Sequence, residues 1–456
     1  MLATAFFTFV CVYKIWKFRA NLYDYGWFAN LVSSLARGDG FEASLYLQRF
    51  GTNAIGDHAQ FGFLLLAPLA RLFGGEYFLA IAGAIGCGLA VLMVPIVAKA
   101  ITGRDEPGKW ILLELLLLFN PMFWGAATFT FHIETMFAFI ILVAIWALHR
   151  GKDWVLWACV IVLLGASERS AISVFGIGIY AFLMLGRRRL GVGLAVLSTV
   201  YFFTACYVIM PALSGIPYPY SGMINPFVDV GKKVLYVAAV YGFFFFTPLM
   251  SRRGITSSFA ALPCVGANIA SARIHQYWLI GFQYNDQAVM FMLVAAIYGL
   301  ADKKVGRGVL CWSGLVCAAF FSGRIVREMK PLSYAPAPAE LRAFLAPYKA
   351  VGEDVTIITN DKLAIFFSGN RKLNYVDNVN IDVARSRTVL AFGKHFEDES
   401  PDSVRDDAPR PQSWDKVLPR LRANPHLHLV CENEYGAVWA SEDLLNSFSC
   451  PASPGG

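Results

Sequence analysis

Charge is what this sequence has least of. Of its 456 residues, 16% are Asp, Glu, Lys or Arg against 57% hydrophobic, and the mean hydropathy is +0.51. A soluble domain carries about 25% charged residues, so a water-soluble globule is excluded and an integral membrane protein is implied. Nucleotide-binding loops are missing as well: neither a Walker nor a GxGxxG pattern occurs, and no internal repeat is visible. The net charge of +7 is not accompanied by a basic face with interleaved aromatics, which speaks against nucleic acid as a partner. The nine cysteines show no metal-type spacing, and Cys311 and Cys317 are too far apart for a CxxC pair. Cys11, Cys87, Cys159, Cys206, Cys264, Cys311 and Cys317 fall in apolar segments as small buried residues. Cys431 and Cys450 lie in polar surroundings and are free to pair in an oxidising compartment. The first apolar stretch, 2–16, lacks a basic leading region and a small-residue cleavage site, so it reads as a helix and not a cleaved signal.

What the sequence does have is a succession of apolar runs. Beyond 2–16, and a stretch at 61–73 that is broken by Pro68 and too short to span, they fall at 76–97, 110–129, 134–148, 154–165, 171–185, 190–210, 234–250, 255–270, 288–300 and 309–322. The expected architecture is a multi-pass α-helical membrane domain over 1–325 with about eleven crossings. One division is physical. Residues 154–185 as a single helix would be about 48 Å long against a bilayer core near 30 Å. Ser167-Glu168-Arg169-Ser170 would then put charge at mid-membrane, at a cost of at least about 2.5–3.5 kcal/mol. Two helices turning at this tetrapeptide avoid it.

Basic clusters set the orientation. Lys99, Arg104 and Lys109, then Arg150 and Lys152, then Arg187 to Arg189, then Arg252 and Arg253, then Lys303, Lys304 and Arg307 occupy alternate loops, which the positive-inside rule assigns to the cytoplasm. Lys14, Lys17 and Arg19 vote the other way and are outnumbered. The N-terminus is then cytoplasmic, and loops 17–60, 130–133, 166–170, 211–232 and 271–287 face outward, as does everything after residue 323. Residues 326–456 alternate strand-like and helix-like patterns: strands at 355–359, 373–376 and 389–392, helices at 339–348, 362–367 and 414–423, and a closing hairpin at 427–431 and 437–440. This predicts a small extracytoplasmic α/β domain with an acidic, Pro-rich loop near 396–413.

The polar residues with chemical potential come from the outward loops. Asp24 sits in Tyr23-Asp24-Tyr25-Gly26-Trp27, where aromatic neighbours would desolvate the carboxylate and raise its pKa towards that of a useful base. The same residue is also a good helix N-cap ahead of Trp27, Phe28 and Leu31. Asp57-His58 and His132-Ile133-Glu134 have the ligand types of a divalent-metal site, or alternatively are groups solvated at helix ends. Glu168-Arg169 reads either as a solvated turn or as a carboxylate beside an arginine fork suited to phosphate. Arg273, His275, Tyr284 and Asp286 lie at the last outward loop.

These residues also carry a resemblance. YDYG at 23–26, GDHAQFGFLLLAP at 56–68, FTFHIE at 129–134 and SER at 167–169, in that order, resemble the DUF2079-type family of predicted membrane proteins. The chain departs from that family's pattern at Arg169, where an acidic residue is frequent, and at Gln283, where a histidine is. The family is similar in layout to the GT-C membrane glycosyltransferases. The resemblance implies transfer of a sugar from a polyprenyl-phosphate donor to an acceptor hydroxyl at the outer face. Asp24 and Glu168 are then the catalytic candidates. Tyr25, His58, Arg169, Arg273, His275 and Tyr284 would bind substrate, and Asp24, His58, His132 and Glu134 would hold a divalent metal ion. The expected partners are the bilayer, the lipid-phosphate donor and an acceptor of unspecified kind. A transporter or flippase is the alternative, although its usual midplane charges and repeats are not seen. A sensory protein with an outer binding domain is a third reading.

Overall fold

Prolines and aromatic clusters cut the apolar runs into helices of unequal length. The computed structural model describes residues 1–18, 20, 25–47, 53–129, 131–277, 283–302, 315, 319, 338–360, 363–375, 386–393, 414–448 and 450. Among them, three helices are long and apolar enough to cross a membrane: Gly75–Thr102, Ile133–Arg150 and Arg188–Ser214. Pro107–Leu118 and Pro121–Ala127 make a fourth if taken together, bent by 60°. The bend has a local cause. Pro121 cannot donate to the preceding turn, and Asn120 caps the new helix by accepting from the Met122 and Phe123 N–H groups at 3.0 and 3.3 Å.

Fewer full-length spans than about eleven are therefore present among the described residues. The helices Leu2–Trp16, Phe63–Phe73, Asp153–Ala166, Ala171–Leu185 and Asp286–Ala301 are apolar but short. The run expected at 234–250 stops as a helix at Gly242, and Phe245 and Phe246 turn the chain with positive φ. The run at 255–270 is interrupted by a 3-10 turn at Phe259–Ala261, followed by Pro263. The run at 309–322 lies outside the described residues apart from Leu315 and Ala319. The division at Ser167–Ser170 falls where the desolvation argument put it, between Asp153–Ala166 and Ala171–Leu185.

The chain divides into two compact units. The first comprises Met1–Cys11, Ile55–Phe63 and Ala80–Lys330; the second comprises Val12–Ala54, Leu64–Leu79 and Pro331–Gly456. The C-terminal region thus shares its unit with two segments from near the N-terminus.

In the first unit, glycines allow helices to approach closely. A Cβ on Gly178 would lie 2.7 Å from the Gly191 carbonyl oxygen, which lets Ala171–Leu185 pack on Arg188–Ser214. Polar contacts tie helix ends of this unit to one another. Lys109 Nζ donates to the Leu300 carbonyl at 3.3 Å, His149 Nε2 is 3.5 Å from the Tyr298 hydroxyl, and Arg187 pairs with Asp153 through two 2.9 Å contacts.

The second unit is built on a five-stranded sheet of order β2-β1-β3-β5-β4, with β1 at Thr356–Thr359, β2 at Lys372–Tyr375, β3 at Thr388–Gly393, β4 at Leu427–Glu432 and β5 at Gly436–Ser441. Strand β1 pairs in parallel with β2 and β3, while β5 runs antiparallel to β3 and β4. Central β3 is buried at all six positions, which accounts for its unbroken apolar run. The strands and the Trp414–Ala423 helix occur where the sequence pattern placed them. Of the helix expected at 362–367, residues 363–367 form turns instead, and the loop at 396–413 lies outside the described residues. Glu76 takes Arg342 at 2.6 Å and Lys349 at 2.9 Å, and Cys431 and Cys450 form a disulfide.

Candidate functional site

A close backbone contact brings the first two polar motifs together. The Gly62 N–H donates to the Gly165 carbonyl at 2.6 Å. A Cβ at Gly62 would meet Ile133 Cδ1 at 3.0 Å, Gly165 O at 3.1 Å and Phe137 Cε2 at 3.3 Å, so only glycine lets this loop lie flat against the end of the Asp153–Ala166 helix. The contact seats Asp57-His58 beside the Ser167–Ser170 turn. Valine at position 62 is expected to cost about 1–3 kcal/mol through overpacking, read as a lower melting temperature in detergent. An unchanged melting temperature would show the contact to be dispensable.

Glu168 is buried, and both its oxygens are engaged. Oε1 is 2.7 Å from His58 Nδ1, and Oε2 accepts from the Ala59 N–H at 2.9 Å. In this arrangement Glu168 holds the imidazole in place. Asp57, also buried, has Oδ1 3.8 Å from His58 Nε2 and accepts a hydrogen bond from the Tyr220 hydroxyl. The Tyr220 ring stacks on His58 with centroids 5.1 Å apart, and the Arg273 guanidinium lies 4.9 Å from the centre of the Tyr220 ring. Burial opposes charge on His58, yet Glu168 and Asp57 overcome it and raise its pKa to about 10. The residue is therefore an imidazolium at neutral pH, with its side chain 28% exposed.

A second set of groups adjoins the first. His132 Nδ1 lies 3.7 Å from Glu134 Oε2, an oxygen that is buried and has no hydrogen-bond partner among the described residues. Asp286, fully buried, accepts from the Thr135 hydroxyl at 2.9 Å and from the Gln287 N–H at 2.7 Å. Arg169 donates to the Tyr284 carbonyl at 2.6 Å and lies 4.5 Å from the centre of the Tyr284 ring. Glu134 is within electrostatic reach of His58, Arg169 and Asp286, which couples the two sets.

The first unit thus assembles Asp57, His58, His132, Glu134, Glu168, Arg169, Arg273, Tyr284 and Asp286. Other expected residues are not part of this picture. Asp24 lies outside the described residues, as does the His275 side chain. Tyr25 belongs to the second unit, where it is buried and its hydroxyl donates to the Glu76 carbonyl at 2.6 Å. Tyr220 is a member that sequence reasoning missed, although the Pro-Tyr-Pro-Tyr run of loop 211–232 was a visible signal. Among the described residues no group of three or more His, Cys, Asp or Glu side chains is arranged to hold a metal ion. No chemical step is assigned to a metal here.

The fold and the cluster define a polytopic helical membrane protein with a buried ionisable site. The chain belongs to the family described as "Predicted membrane protein (DUF2079)", whose profile matches residues 14–423. Its fold is similar to that of ArnT from Cupriavidus metallidurans in the crystal structure bound to undecaprenyl phosphate. That similarity has a TM-score of 0.58 at 13% identity and covers 96% of this chain and 97% of that one. The expected membership of the DUF2079-type family is thus shown, and the likeness to ArnT is one of fold. No curated protein matches the sequence.

Proposed function

We propose that the protein is a membrane glycosyltransferase that moves a sugar from a polyprenyl-phosphate-linked donor to an acceptor hydroxyl at the extracytoplasmic face. The observation that supports this reading is the convergence of ionisable side chains from separate loops into one cluster, within a fold similar to that of a protein crystallised with undecaprenyl phosphate. In the reaction, the acceptor oxygen attacks the anomeric carbon and the bond from that carbon to the phosphate oxygen breaks. Polyprenyl phosphate leaves with the electron pair, and the hydroxyl proton passes to a carboxylate, in this reading Asp24. The His58 imidazolium and Arg273 supply positive charge for the departing phosphate.

Gln60 Nε2 and Glu134 Oε2 are buried without hydrogen-bond partners among the described residues. An unsatisfied buried polar group costs about 1–3 kcal/mol, which sugar hydroxyls would relieve. The Cys431–Cys450 disulfide supports an oxidising and hence extracytoplasmic location for the C-terminal region, with the N-terminus in the cytoplasm.

The test is transfer in proteoliposomes supplied with polyprenyl-phosphate-linked sugars and radiolabelled in the sugar. Asp24→Asn is expected to lower the rate by about 10²-fold or more, the range of general-base contributions, at unchanged membrane abundance. Full activity in that variant would remove Asp24 from the reaction. A wild-type protein inert towards every lipid-phosphate donor would sink the proposal.

A further inference from the structure

One lysine of the first unit is buried in an apolar wall. The Val230–Gly242 helix borders a groove of about 520 Å³, within the range of roughly 300–1,000 Å³ typical of small-molecule sites. Val230, Lys233, Val237, Tyr241, Phe246 and Leu249 are among its lining residues. Spacings of three and four place Val230, Lys233, Val237 and Tyr241 on one helix face. The groove therefore follows about 16 Å of helix at 1.5 Å per residue.

Lys233 is only 5% exposed. Its ammonium donates to the Asn225 carbonyl at 2.8 Å and lies 4.7 Å from the centre of the Tyr277 ring. Among the described residues no carboxylate is within ion-pair distance of it. Asp229, which acts on it electrostatically, is paired instead with Lys232 at 3.1 Å. An ammonium has three donors, and a buried cation without a counter-charge is costly. The groove wall is otherwise apolar, and Val230, Val234, Phe246 and Leu249 are exposed, as suits a hydrocarbon chain. A ligand with one anionic end and one long apolar tail matches both features.

We propose that this groove is a binding site for a single bilayer lipid of net negative charge, with its phosphate on Lys233 and one acyl chain along the Val230–Gly242 helix. The occupant also steadies the site region. Lys233 holds Asn225, whose N–H donates to the Ala270 carbonyl, while the Ala272 N–H donates to the Met223 carbonyl, both at 2.8 Å. This pairing of residues 223–225 with 270–272 lies between Tyr220 and Arg273, which are themselves in contact.

The experiment is native mass spectrometry of the full chain released from nanodiscs of mixed phosphatidylglycerol and phosphatidylcholine. The wild type is expected to retain one phosphatidylglycerol in preference to phosphatidylcholine by about tenfold or more, the worth of one charge-assisted hydrogen bond. Lys233→Gln should abolish the preference, Lys233→Arg should keep it, and Ala238→Phe should prevent retention of either lipid by filling the groove. Equal retention of the two lipids by the wild type, or an unchanged preference in Lys233→Gln, overturns the proposal. Displacement of phosphatidylglycerol by substoichiometric polyprenyl phosphate also overturns it, since the groove would then belong to a prenyl lipid. None of these readouts depends on transferase activity.

Discussion

Replacing Glu168 with glutamine is expected to destabilise the protein by about 2–3 kcal/mol near neutral pH, because a buried charged partner of a hydrogen-bonded pair is lost. The dependence on pH gives the prediction its diagnostic form. His58 is raised from an ordinary value near 6.5 to about 10 by Glu168 and Asp57 acting against its burial. A group whose pKa is raised on folding contributes stability that is fully present below its unfolded pKa and is lost as pH climbs through the folded one. The wild type should therefore lose stability progressively between about pH 6.5 and pH 10. In Glu168→Gln the largest attraction on the imidazolium is gone, so the two stability curves should converge towards the alkaline end. Thermal denaturation in detergent across that range reads the difference. Parallel curves would mean that Glu168 supports the fold without acting through the charge on His58.

The second large effect concerns a glycine in the helix packing. Gly86, in the Gly75–Thr102 helix, lies so close to the Met136 carbonyl that a Cβ there would overlap it. The obstacle is backbone, which cannot rotate away. Gly86→Ala should push the Ile133–Arg150 helix outward, with a penalty of about 1–3 kcal/mol or more and a displacement of Glu134, two residues from the point of contact. Gly108→Ala is the matched control, because a Cβ at Gly108 meets nothing within 4 Å and alanine is the better helix former. The control should match or slightly exceed the wild type in melting temperature, while Gly86→Ala falls below both. A Gly86→Ala protein as stable as the control would contradict the tight helix contact.

The membrane class, the turn at Ser167–Ser170 and the strands of the C-terminal sheet could be read directly from the sequence. Each depends on a local quantity: the cost of charge in hydrocarbon, the rise per helical residue, or the apolar run of a buried strand. The lengths of the spans were less legible. The run at 110–129 looks continuous until Asn120 and Pro121 act together as cap and breaker. The helix in the run at 234–250 stops before four phenylalanines, two of which adopt a left-handed backbone that composition does not foreshadow. Candidate site residues could be nominated by type and by loop, and two of those nominated, His58 and Glu168, lie in direct contact. Their roles were a different matter: Glu168 could be nominated as catalytic, but not recognised as the residue that holds His58.

By itself, then, the sequence determined that the chain enters a membrane, where charge is tolerated, and which ionisable residues are gathered in its polar loops. Only the tertiary structure decided that Glu168 meets His58 across 110 positions, that Tyr220 stacks on the same imidazole, and that Lys233 is buried with no carboxylate partner among the described residues. The reason is physical. Local free energies are set by residue type and spacing, whereas these pairings follow from close backbone approaches such as Gly62 on Gly165, which depend on segments distant in the chain packing against one another.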